Sequence, residues 1–188
     1  MSATTRTVLE VPACRSPQAG LFLAALDDQR GHLIRDTRGL APAELERQFA
    51  PGMNTIGMLL AHVAVAETHI LHVGVLGRPD SDVRGVIGVT MDDDGMPLVP
   101  DAPPSPALTA KDLAFFDDLL ARSRAHTRDT LATLEDADLD RQVIRHRPDG
   151  GTRVLNVRWA LYHLVEHEAG HRGQINLLRH LYRTRPAG

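Results

Sequence analysis

Residues 157–182, VRWALYHLVEHEAGHRGQINLLRHLY, carry a helical pattern that no proline interrupts. Each residue of an α-helix turns about 100°, so positions three and four apart share a face. Ala160, Leu164, Ile175, Leu178 and Tyr182 form one apolar stripe, and the two places missing from its middle are His167 and His171. The spacing therefore predicts a helix from about Val157 to Tyr182 with both imidazoles turned inward. An inward imidazole without a partner costs about 1–3 kcal/mol. A divalent cation shared by two stacked rings removes that cost more economically than buried water does.

Working outward, three further long helices are expected. Ser16-Pro17 is a capping hydroxyl followed by proline at the first helical position, and Phe22, Leu26, Leu33 and Thr37 share a face, giving a helix over 17–38. Asn54 or Thr55 caps a second helix with Ile56, Leu59, Leu60, Val63, Ile70 and Val73 inward, ending near 74–77. Thr109 is the expected cap of a third, with Leu113, Phe116, Leu120, Thr127, Leu131 and Leu134 inward. A short helical turn is expected at 42–45, a proline-rich loop over 78–107 and a hairpin over 139–156 around Pro148-Asp149-Gly150-Gly151. Asp92-Asp93-Asp94-Gly95 lacks the glutamate of a calcium loop and is expected as a solvated turn.

The expected fold class is all-α, a four-helix bundle. A crossover of roughly thirty residues between the second and third helices is longer than an antiparallel turn needs, which implies that those two run parallel, in up-down-down-up order. The 188 residues are read as one domain, 1–188, with 1–15 a flexible leader.

Composition narrows the function. One cysteine, Cys14, rules out a disulfide framework or a multi-cysteine metal site, and a net charge of −3 gives no reason to expect nucleic acid. The apolar run Leu21–Leu26 is too short to span a bilayer. These features predict a cytoplasmic domain without nucleic acid or membrane partners, and a homodimer is compatible with them. Histidine stands out, with 10 residues.

A third metal ligand must come from upstream, because nothing acidic follows Glu168 and a histidine six places beyond His171 is replaced by Leu177. The same absence counts against a zinc peptidase, although His167-Glu168-Ala169-Gly170-His171 matches the HExxH pattern. On the second helix His62 and His69 share nearly one bearing at the edge of the apolar face, while His72 is expected to point further outward. Either of the first two could complete the set. Three protein ligands leave a coordination position for water or substrate, the arrangement of a working metal. Glu168 flanks the metal face as a candidate general base or as an acceptor behind the ligands. His163 and Gln174 flank it too. Ser123 and Thr127 interrupt the stripe of the third helix where a cavity would reach it.

The segment Asn54 to His62, with Glu67 five residues on, resembles the first motif of the DinB-like (YfiT-like) family of metal-dependent enzymes. His163 to Leu178, above all His167, His171, Gly173 and Gln174, resembles its second. The resemblance implies an up-down-down-up four-helix bundle holding a divalent ion, zinc or nickel, on His62, His167 and His171. It also implies kinship with enzymes that use a low-molecular-weight thiol such as mycothiol or bacillithiol. In the mycothiol-dependent maleylpyruvate isomerases one ligand is a glutamate where this chain has His167, a departure that speaks against that isomerase activity. The expected function is thus thiol-transferase or hydrolase chemistry by a Lewis-acidic metal on a small molecule. The alternative is a non-catalytic, metal-stabilised binding or stress module, for which a fourth protein ligand such as His69 would close the site.

Overall fold

The computed structural model describes residues 7–93, 96, 103–146 and 149–185. Four long helices dominate: α1 (Pro17–Thr37), α3 (Ile56–Ile70), α5 (Leu113–Thr133) and α7 (Val157–Thr184). Short helices α2 (Pro42–Glu46), α4 (Val83–Ile87) and α6 (Asp136–Leu139) lie between them. A two-stranded antiparallel sheet, β1 (Gln142–His146) and β2 (Thr152–Asn156), is the expected hairpin. Asp149 and a left-handed Gly150 lie in its turn, and Pro148 lies outside the described residues.

Caps set the helix starts. Ser16, Thr55 and Asn156 accept from the backbone N–H groups of Ala19, Met58 and Trp159. The expected cap Thr109 is corrected to Asp112, which accepts from Phe115 N–H; Ala110, in the left-handed region at φ 56°, breaks the chain direction between them. The 78–107 stretch is less irregular than expected. Asp82 caps α4, whose Val83 and Ile87 are buried in the core. Asp93 is no solvated turn, since its carboxylate accepts from Thr90 and Ser105; Asp94 and Gly95 lie outside the described residues. At the N-terminal side, residues 1–6 lie outside the described residues, while Arg15 N–H donates to Ala132 and Cys14 packs against the core.

α1 packs on α5 and α7, and α3 on the same two helices. Ile56–Val75 is long and apolar enough to cross a membrane by length and composition, but most of it is buried inside the domain, as befits a core helix. Its last turn, Leu71–Val75, is π-helical. His72, expected to face outward, is buried instead: it lies one turn beyond the buried Thr68, on a side of the helix that α5 and the segment leading into α4 cover. Its Nδ1 accepts from Asp82 N–H and its Nε2 lies 2.8 Å from Nε2 of His126.

The core has two apolar clusters. One gathers Leu33, the first part of α3, Phe116, Leu120, Ile175 and Leu178. The other gathers Leu23, Leu26, Leu71, Leu131, Leu161 and Leu164. The sequence positions between them on the four long helices are Arg30, Glu67, Arg124 and Glu168, all buried.

Candidate metal centre

His62 from α3 meets His167 and His171 from α7. Nε2 of His167 lies 3.1 Å from Nε2 of His62 and 3.1 Å from Nε2 of His171. The three donor atoms fall within 4.8 Å of one another, and all three residues are half-buried. Three mutually close Nε2 atoms cannot satisfy each other: a proton on one can point at only one neighbour, which leaves a lone pair facing a lone pair. Nitrogens about 2.1 Å from a tetrahedral zinc lie roughly 3.4 Å apart, so a divalent ion fits this donor set in chemistry and in spacing.

The surroundings favour neutral, ligating rings. Burial, reinforced by the neighbouring His171, His62 and His163, lowers the His167 pKa to about 3. Burial also lowers that of His171, against the opposing hydrogen bond from Gln174. That bond, 2.7 Å from Nδ1 to Gln174 Oε1, places a proton on Nδ1 and leaves the Nε2 lone pair for a metal. Gln174 is therefore the orienting partner of one candidate ligand. His163, one turn before His167, shares the arrangement in another form: its Nδ1 donates to Glu166 Oε1 at 2.8 Å, and its ring stacks on Trp159 at 4.7 Å.

His69 does not join the triad. It shares a bearing with His62, yet seven residues of helix separate them by about 10 Å along the axis. It lines a separate cavity beside the hairpin, with its Nδ1 buried and without a hydrogen-bond partner among the described residues.

Glu168 sits beside His167 in sequence but faces the helix interior. Its Oε1 accepts from Arg30 Nε at 2.7 Å and its Oε2 from Arg124 Nη2 at 2.8 Å. Glu67 is held likewise, by Arg30 Nη2 at 2.6 Å and Arg124 Nε at 2.8 Å. One charge from each long helix thus makes a buried quartet, with exposures of 6% for Arg30 and Arg124, 3% for Glu67 and 2% for Glu168, and the half-buried Asp27 of α1 adds a further ion pair to Arg124 at 3.2 Å. Burial pulls the Glu67 carboxyl upward, but Arg124 and then Arg30 outweigh it and hold it at about 2, with a smaller contribution from the Thr127 hydroxyl. With both oxygens tied to guanidiniums, Glu168 is a structural anion (its carboxylate is engaged on the side away from solvent). Ser123, the other polar break in the stripe of α5, bonds to Thr68.

Arg30 and Arg124 are the residues that sequence reasoning missed, although a signal for them is present. Arg30 occupies the inward stripe of Leu23, Leu26 and Leu33, and Arg124 that of Phe116, Leu120 and Leu131. A charge inside an apolar stripe demands an opposite charge across the core.

The family model described as mycothiol-S-transferase matches residues 21–184. The crystal structure of a conserved protein from Enterococcus faecalis is similar in fold, with a TM-score of 0.60 at 17% identity, covering 88% of this chain and 96% of that one. Among curated proteins, none matches.

Proposed function

The chain belongs to the mycothiol-S-transferase family, a DinB-like family, and on that premise we propose that it is a metal-dependent enzyme joining a low-molecular-weight thiol to a small electrophile. The observation that carries this reading is the convergence of three Nε2 atoms from two helices, with no fourth protein donor in the group among the described residues. His62, His167 and His171 would hold the ion, zinc or nickel by the preference of imidazole donors. When bound, that ion supplies Lewis acidity, which lowers the pKa of a thiol or of water.

The chain's own residues do the rest. Gln174 holds the His171 ring in its ligating tautomer. His163, with its Nδ1 proton on Glu166, offers Nε2 as acceptor for the thiol proton. The sulfur pair then forms the new S–C bond, and the leaving group departs with the electron pair of the bond it breaks. Glu168 takes no part in this, and its engagement with Arg30 and Arg124 also deprives the HExxH peptidase reading of its base. A metal-stabilised module without turnover would want the site closed by His69, which lies elsewhere.

The order of the core supports an up-down-down-up bundle within a single domain, 1–188. Along α1 and α7 the chain passes from the Leu23–Leu164 cluster to the Leu33–Ile175 cluster, and along α3 and α5 in the opposite sense. The test of function is reconstitution with zinc or nickel, then mixing with 1-chloro-2,4-dinitrobenzene and, in turn, mycothiol, cysteine and glutathione. Thioether formation above the uncatalysed rate, lost in His171→Ala, is expected. No acceleration with any thiol across fully loaded protein would overturn the proposal.

A further inference from the structure

A cavity of about 490 Å³ lies between the hairpin, the π turn and α7. Arg145 and Arg153 face it from β1 and β2, Trp159 and His163 wall it on α7, and His69 and Gly74 close it from α3 and the π turn. Its size suits one small molecule. Arg145 and Arg153 are direct partners in the antiparallel register, and like charges placed opposite each other on a sheet oppose its formation. No carboxylate among the described residues forms an ion pair with either. Two guanidiniums, the half-buried Arg145 and the exposed Arg153, thus line the cavity with no carboxylate of the described residues beside them.

A continuous row of flat groups joins this place to the metal centre. The Arg153 guanidinium lies 4.3 Å from the Trp159 ring centre. Trp159 stacks on His163 at 4.7 Å with 16° between the planes, and the His163 ring lies 5.8 Å from that of His167. At the floor, a Cβ on Gly74 would meet Ala160 Cβ at 3.1 Å, so the glycine lets the π turn approach α7 closely. His69 adds a neutral polar group, since burial and the Arg145 charge both lower its pKa.

We propose that this cavity binds the carboxylate of a flat, unsaturated small molecule, with Arg145 and Arg153 gripping the carboxylate and the flat body lying against the edge of Trp159 that the Arg153 and His163 stacks leave open, its other end toward the histidine triad. That the bound molecule is the electrophile of thiol transfer rests on the function proposed above; that the cavity binds it does not. Arginine suits this role because its planar fork matches a carboxylate and its face stacks on an aromatic ring. A flexible thiol would gain little from the indole wall, which assigns the carboxylate to the electrophile.

Trp159 is the chain's one tryptophan, so its fluorescence reports the cavity alone. Quenching by trans-cinnamate is measured on the zinc-loaded and the chelated full chain, beside cinnamamide and 3-cyclohexylpropionate. Saturable quenching by cinnamate in both forms is expected, weakened about tenfold or more in Arg145→Gln and in Arg153→Gln. Cinnamamide should bind at least about tenfold more weakly, and the non-planar acid several-fold more weakly. Arg153→Lys keeps the charge in case the glutamine variants unfold the hairpin, and should show a smaller loss. Val154→Thr, on the opposite face of β2, should leave affinity unchanged. Equal binding of acid and amide, equal binding of flat and puckered acids, or binding that requires zinc and ignores both arginines would overturn the proposal. Anion binding that persists while thioether formation fails would sink the transferase reading alone.

Discussion

Replacing Glu67 by glutamine keeps the side chain's shape and removes one of the two buried anions paired with Arg30 and Arg124, leaving Glu168 and the half-buried Asp27. In the folded chain the Glu67 carboxyl is held at about 2, against 4.5 for a free glutamate. At about 1.4 kcal/mol for each factor of ten in proton affinity, that difference is worth about 3 kcal/mol. The same size is expected for breaking a buried pair from one side, about 3–5 kcal/mol, because an uncompensated cation stays behind. The sign follows from the direction of the shift. A depressed carboxyl contributes its stability above the unfolded value and loses it as pH falls from about 4.5 toward 2. Urea unfolding of the chelated protein, followed by circular dichroism, should therefore show Glu67→Gln about 3 kcal/mol less stable at pH 7. The gap should narrow steadily below pH 4.5. A gap under about 1 kcal/mol at pH 7, or one that does not change with pH, would refute the charge quartet as the source of stability.

His171→Ala and His62→Ala should each lose about one equivalent of zinc by elemental analysis after dialysis, and equal content in wild type and variants would dismantle the triad. Gln174→Ala should retain the site but bind zinc about 10–100-fold more weakly in a chelator competition, since His171 loses its orienting acceptor. The metal-free protein should lose thermal stability as pH falls from 6.5 toward 3, because the unfolded chain takes up a proton on His167 that the folded chain, held at about 3, refuses. That slope should flatten in His167→Gln. Gly57→Ala should destabilise by about 1–3 kcal/mol in the same urea assay, because a Cβ there would meet Phe116 at 2.8 Å.

Much of the molecule is legible residue by residue. Ser16-Pro17 and the stripe beyond it mark the start of α1 to the residue, and the interruption of the α7 stripe by His167 and His171 marks the face that meets His62. The cap of α5 is ambiguous in sequence because Thr109 and Asp112 are both good capping residues three positions apart, and only the backbone at Ala110 separates them. His72 is buried against expectation because His126, 54 residues on, and the segment at Asp82 cover its side of the helix. Glu168 looks free to act as a base because its partners, Arg30 and Arg124, lie 138 and 44 residues away in the chain.

Helical periodicity is a local property, so the four long segments, their inward faces and the polar residues on those faces follow from the order of residues alone. Which groups then meet is not local. His62 reaches the pair on α7 and His69 does not, Arg30 finds Glu67 and Glu168, and the two hairpin arginines come to face an indole, only because helices distant in the chain lie side by side at one particular height. A face repeats every turn, but height along a neighbouring helix is settled by the packing of the whole core.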